Sequence, residues 1–129
     1  MTDMLDFQTF EKSPKPNCYL VAPAGLCENA EPDAAAPVFA EAPAALFLRV
    51  TTFLGGDPQY KDIETHEVAL RLSAVAVTKV LRFKDDVDIA VLPSGEGATL
   101  AVYSRSRVGY SDLGKNKKRI EALLATLKV

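Results

Sequence analysis

The stretch "EVALRLSAVAVTKV", residues 67–80, decides the fold, because it can be read as a helix or as a strand. Alanine and leucine are strong helix formers. Against that, Val68, Leu70, Leu72, Ala74 and Ala76 alternate onto one face, and the valines suit an extended backbone. Period two fits better than period 3.6, so the stretch reads as a strand. Working outward, "RFKDDVDIAVLP" (82–93) reads as a turn into a second strand with Val87, Ile89 and Val91 inward. "PSGEG" (93–97) supplies a tight turn and "ATLAVYSRSRV" (98–108) a third strand. Strands this close in sequence make an antiparallel meander the economical topology. The polar connection "DPQYKDIETH" (57–66) has room for one further short strand.

Two helices flank this sheet. "PAALFLRVTTFL", Pro43 to Leu54, opens with proline at its first position, where the missing N–H costs nothing. Leu46, Val50, Phe53 and Leu54 form its apolar stripe, and Gly55-Gly56 is expected to end it with a positive-φ cap. The last helix begins near Asp112 or Lys115, runs to about Leu127 and buries Ile120, Leu123, Leu124 and Leu127. Upstream, prolines at 14, 16, 23, 32, 37 and 43 forbid long regular elements. "CYLVAP" and "APVFA" nonetheless carry apolar anchors, so this segment reads as an ordered, extended wrap rather than a linker. The expectation is an N-terminal tail or loosely docked arm (1–12) and a single α+β domain (13–129). Its small antiparallel sheet has about three to four strands, covered by two helices.

Composition narrows the function classes. At 129 residues, with 48% hydrophobic and 25% charged residues, the chain can bury a core of its own. The net charge of −2 argues against a nucleic-acid partner. That average conceals an asymmetry. Between Arg105 and Arg119 six bases face only Asp112, so this window carries +5 of a total of −2 and leaves −7 elsewhere. Such a local positive field suits an anionic small molecule or an acidic partner surface. The start, "MTDMLDFQTFEK", has acids where an export signal needs bases, and no apolar run is long enough to cross a bilayer. A cytoplasmic protein without membrane insertion is expected. Cys18 and Cys27 with a lone His66 make no zinc set, so no metal or cofactor is expected and two free thiols are the default.

"KPNCYLVAP", "APVF", "LRFKDDVDI" and "ATLAVYSRSRVGYSDLGKNKKRIEALLATL" together resemble the bacterial and plastid family catalogued as domain of unknown function 1499. The resemblance spans Pro14 to Leu127. Its most specific part is Ser-Arg-Ser-Arg-x-Gly-Tyr-Ser-Asp-Leu-Gly-x-Asn-x-x-Arg-Ile, Ser104 to Ile120, with Phe83 and Asp85 ahead of an alternating strand. Many members carry Pro-Arg-Thr before the sheet; here "GDPQYKD" stands instead, so no role for that arginine is carried over. The resemblance implies a small α+β domain and supplies no activity.

The candidate site is the junction where the third strand turns into the last helix. Tyr103, Arg105 and Arg107 share one strand face and Ser104 and Ser106 the other. The arginines read either as a clamp for a carboxylate or phosphate, or as structural partners of Asp86 or Asp88 one strand away. Gly109 and Gly114 allow special backbone angles, and Ser111 or Asp112 can cap the helix start. Anions also bind at helix starts, though Asp112 would compete for the same donors. Asn116 falls on the buried stripe and needs partners, either the preceding turn or the Ser104 and Ser106 hydroxyls. Lys115 and Lys118 point to solvent, and bases there oppose the helix dipole. The leading expectation is a non-enzymatic module binding an anion or acidic surface through Tyr103, Arg105, Arg107, Lys115 and Arg119. Ser104, Ser106, Gly109, Asp112, Gly114 and Asn116 then form the structural joint. One alternative is an enzyme using Tyr103, Arg105 and Asp112; another is an assembly factor recruiting through the proline-rich wrap. Hydrolase chemistry has little support, since no nucleophile-elbow pattern surrounds a serine and Cys18 would need the distant His66. Asp85-Asp86 reads as turn-shaping rather than metal-binding.

Overall fold

The computed structural model describes residues 4–128, and in it the deciding stretch is a strand. The elements in order are β1 (Cys18–Ala22), β2 (Ala34–Ala35), α1 (Pro43–Gly55), β3 (Tyr60–His66), β4 (Arg71–Val77), β5 (Lys84–Ser94), β6 (Gly97–Ser106) and α2 (Lys115–Leu127). They build an α+β domain around one open six-stranded sheet of order β2-β1-β6-β5-β4-β3. The meander β4-β5-β6 is antiparallel, as alternation predicts, and β3 extends it at one edge. The sheet has more strands than expected because the proline-rich wrap supplies two of them. β1 pairs antiparallel with β6, and the two-residue β2 runs parallel to β1, which makes the sheet mixed. Five- and two-residue strands between prolines are too short to show a period.

Two local expectations need correction. Val68 does not continue the inward row of β4, whereas Leu70 packs against the core from outside the strand. Residues 67–70 form a turn, Leu70 adopts φ 55°, and Val68 is fully exposed. Leu72, Ala74 and Ala76 do face inward. At the end of α1, Gly56 takes φ −91° rather than a left-handed angle. The helix closes instead by the Gly56 N–H donating to the Thr52 and Phe53 carbonyls at 3.1 and 3.3 Å. No helix among the described residues is long and apolar enough to cross a membrane.

Both sheet faces are covered, unequally. On one, Leu72, Val87, Ile89, Leu100 and Val102 meet Leu46, Val50 and Leu54 of α1 and Ile120, Leu123 and Leu127 of α2. Fully burying one such side chain contributes about 1.5–3 kcal/mol, so this layer dominates stability. On the other, Leu20, Ala22, Ala90, Ala101 and Tyr103 are roofed by the N-terminal arm, with Phe7 only 4% exposed and Leu5 and Phe10 beside it. The Arg71 guanidinium lies 5.3 Å from the Phe7 ring centre and donates to the Leu5 carbonyl. Near the β5–β6 turn, Phe39 bridges to Ala98 through bonds of 2.7 and 3.0 Å. A β-carbon at Gly97 would collide with the Phe39 carbonyl oxygen, so this position has room only for glycine.

Candidate functional site

The strand–turn–helix junction is built around Asn116, which is fully buried. Its Nδ2 donates to the Asn17 carbonyl (3.0 Å), the Ser106 hydroxyl (3.1 Å) and the Asp112 carboxylate (2.6 Å). Its Oδ1 accepts from Arg119 Nη1 at 2.9 Å and from the Ser104 hydroxyl. One amide thus ties the residue preceding β1, β6, the turn and α2 together, and both serines face this joint. Asp112 caps the helix start. Its carboxylate accepts from the Gly114 N–H at 2.8 Å and the Asn116 N–H at 3.1 Å. Gly109 and Gly114, at φ 89° and 80°, take the left-handed angles that let the chain reverse between strand and helix.

Arg119 belongs to this joint and not to the Arg105/Arg107 stripe. It is 8% exposed, its Nη1 donates to Asp85 at 2.8 Å and to Ser104 at 3.2 Å, and its Nε donates to Gln59 at 3.1 Å. Stepping three residues from Asn116 keeps it on the buried side of α2. Strand alternation sends Arg105 and Arg107 to the opposite face of the sheet. The five side chains expected to bind ligand therefore do not converge on one surface.

Tyr103 is also displaced from the expected open stripe, because the arm covers it. Phe10 packs with its ring centre 4.9 Å away, and the phenol oxygen accepts the Ser13 N–H at 2.9 Å. Burial pushes its pKa up to about 12. Only the two arginines line open space. They floor a cleft of about 580 Å³ bounded by Leu5 of the arm and by Asp62, Ile63 and Glu64 of the irregular β3 edge. Arg105 donates to Asp88 at 2.6 Å, and Arg107 grips Asp86 with bonds of 2.8 to 3.1 Å. The hydrogen-bonded Asp86 raises the pKa of the Arg107 guanidinium. With Asp62, Glu64, Asp86 and Asp88 against two arginines, the cleft lining is net acidic. The arginines act here as cross-strand partners of the aspartates, and the cleft as a whole repels anions.

Six of the bases outside any ion pair among the described residues gather at one end of the sheet. Among the described residues five ion pairs form, taken by Lys12, Arg49, Arg105, Arg107 and Arg119. Lys115, Lys117 and Lys118 on the first turn of α2 are exposed and outside these pairs, as are Lys79, Arg82 and Lys84 of the β4–β5 hairpin. The two groups are neighbours. Asp85 pairs with Ser106, and the Arg107 N–H donates to the Lys84 carbonyl at 3.2 Å, so the hairpin and the β6–α2 turn share one end.

The pattern running through this joint, from Ser104 to Ile120, is where the resemblance to a family is densest, and residues 11–127 match the model of that family, described as protein of unknown function (DUF1499). The chain belongs to the DUF1499 family. No curated protein matches it. In this DUF1499 chain, sequence reasoning overlooked two members of the joint. Asp85 is the buried partner of Arg119, although its neighbour Asp86 is a surface pair. Asn17, 5% exposed, donates to the Gly109 carbonyl at 3.0 Å. Alternation could have separated Asp85 from Asp86. Nothing in "KPNCYL" marks Asn17. Reasoning also passed over the hairpin bases, though "TKVLRFK" (78–84) carries no acid. Among the described residues no group of histidine, cysteine or carboxylate side chains is placed to hold a metal ion. Cys18 and Cys27 are free thiols, each with its pKa raised by burial.

Proposed function

We propose that this DUF1499 protein is a non-enzymatic binding module that docks on an acidic surface through the basic end of its sheet. The observation that carries the reading is the distribution of unpaired charge. Arg105, Arg107 and Arg119 are matched by aspartates, while six bases gathered at the hairpin and the α2 start stand outside every ion pair among the described residues. Bases in a first helical turn cost about 0.3–1 kcal/mol each against the helix dipole, so their presence there needs a reason outside helix stability. A catalytic use of Tyr103 is disfavoured by its burial under the arm and by a pKa moved away from neutrality. The expected anion clamp at Arg105 and Arg107 is disfavoured by their aspartates.

The test is binding of immobilised polyglutamate at low salt. The wild type is expected to bind, Lys115→Glu/Lys118→Glu to lose retention, and Arg105→Ala to retain it. Loss in Arg105→Ala with retention in the double lysine variant would move the site to the cleft and overturn the proposal.

A further inference from the structure

We propose that the acidic surface is an anionic lipid bilayer, entered at headgroup depth by apolar side chains of the same end; this rests on the basic-end reading. The β4–β5 hairpin is closed by the Thr78 N–H donating to the Phe83 carbonyl at 2.9 Å and the Phe83 N–H to the Thr78 hydroxyl at 2.8 Å. Residues 79–82 therefore project beyond the sheet. A solvated tip of this kind normally carries Gly, Asn, Asp or Ser. Here Val80 and Leu81 occupy it, with Phe83 at its base. Across from them, the β6–α2 turn presents Val108, Tyr110 and Leu113. These six are 47–88% exposed, and they form the larger part of the exposed large hydrophobics among the described residues. Scattered exposed apolar side chains need no explanation, but a concentration at one end of a molecule does.

The charge around them selects the partner. Segments 78–84 and 108–118 hold six bases and a single acid, Asp112, a local +5 on a chain of net −2. Five of the six are lysines. Lysine is depleted in the cores of protein interfaces but serves well among anionic headgroups, where its stem lies along apolar surface and its ammonium reaches phosphate. Projecting aliphatic and aromatic side chains ringed by lysines supply the two signals, apolar and electrostatic, that peripheral attachment requires. Nothing in this arrangement crosses the bilayer.

Sedimentation with vesicles tests the idea, using phosphatidylcholine alone and an equimolar mixture of phosphatidylcholine and phosphatidylglycerol. The wild type should partition onto the mixed vesicles, weakly onto phosphatidylcholine alone, and less as salt rises. Val80→Ser/Leu81→Ser removes exposed side chains and leaves the Thr78–Phe83 closure intact, so its circular dichroism and melting should match wild type. Its partitioning onto mixed vesicles should fall about tenfold or more, while polyglutamate binding stays unchanged. Equal vesicle binding by this variant overturns apolar entry. Polyglutamate binding without vesicle binding overturns the membrane and leaves the basic-end reading, with a protein surface as the partner. Loss of both overturns both.

Discussion

Replacing Arg119 by methionine should be among the most damaging single changes at the joint. The methionine keeps most of the apolar stem, so packing on α2 is conserved and the change reports on the guanidinium. Its loss deletes the four hydrogen bonds to Asp85, Ser104, Asn116 and Gln59. The decisive consequence falls on Asp85. This carboxylate is 2% exposed and has no other side-chain hydrogen-bond partner among the described residues, so the variant leaves a buried acid unmatched. Breaking a buried pair in this way costs about 3–5 kcal/mol. By contrast, the Arg107–Asp86 pair, with side chains 45% and 34% exposed, belongs to the class of surface pairs that contribute about 0–1 kcal/mol. For a domain of this size the Arg119→Met loss lowers Tm by roughly 10–20 °C. Urea unfolding followed by circular dichroism measures it as a shift in midpoint at constant slope. The double variant Asp85→Leu/Arg119→Met, which removes both charges, should recover much of the loss. The reasoning is refuted if Arg119→Met costs less than about 1 kcal/mol, or if the double variant is no more stable than the single one.

Two other perturbations test the architecture. Gly97→Ala places a β-carbon against the Phe39 carbonyl and should cost about 1–3 kcal/mol by urea unfolding, whereas Gly95→Ala, with open space around it, should act only through its φ of 55°. Tyr60 and Tyr103 are both pushed up to about 12 by burial, so alkali should unfold the protein. The unfolded chain, whose tyrosines ionise near 10, releases these protons first, and stability falls as pH rises from about 10 toward 12. The slope contributed is about 1.4 kcal/mol per pH unit per tyrosine. Tyr103→Phe should remove its share of that slope and one step of the absorbance titration of tyrosinate; an unchanged slope would contradict the burial argument.

The helices and the central meander were legible because long elements repeat their period several times. Ile120, Leu123 and Leu127 or Val87, Ile89 and Val91 each declare a face without help from the rest of the chain. The joint was half legible. Asn116 could be recognised as a buried amide because it interrupts an apolar stripe, and Asp112 as a cap because it precedes a helix. Arg119 was misplaced because the charge window treats neighbours in sequence as neighbours in space, while strand and helix periods send them to opposite faces. Tyr103 was misplaced because an arm almost a hundred residues earlier in the chain covers it, and no local pattern encodes that contact.

The position of β1 has a consequence for how the chain is made. It sits inside the sheet between β2 and β6, and its residue Cys18 pairs with Arg105. During synthesis from the N-terminus, this strand has only the two-residue β2 beside it until β6, its antiparallel partner, has emerged. The local hairpins from β3 to β6 carry a small loop-closure cost and can assemble first, leaving β6 with an open edge. An unpaired strand at each end of the process invites pairing with other chains. Pro14, Pro16 and Pro23, which flank β1, withhold the backbone donors that such pairing would use. The prolines that obscured this strand in the sequence thus also protect it while it waits.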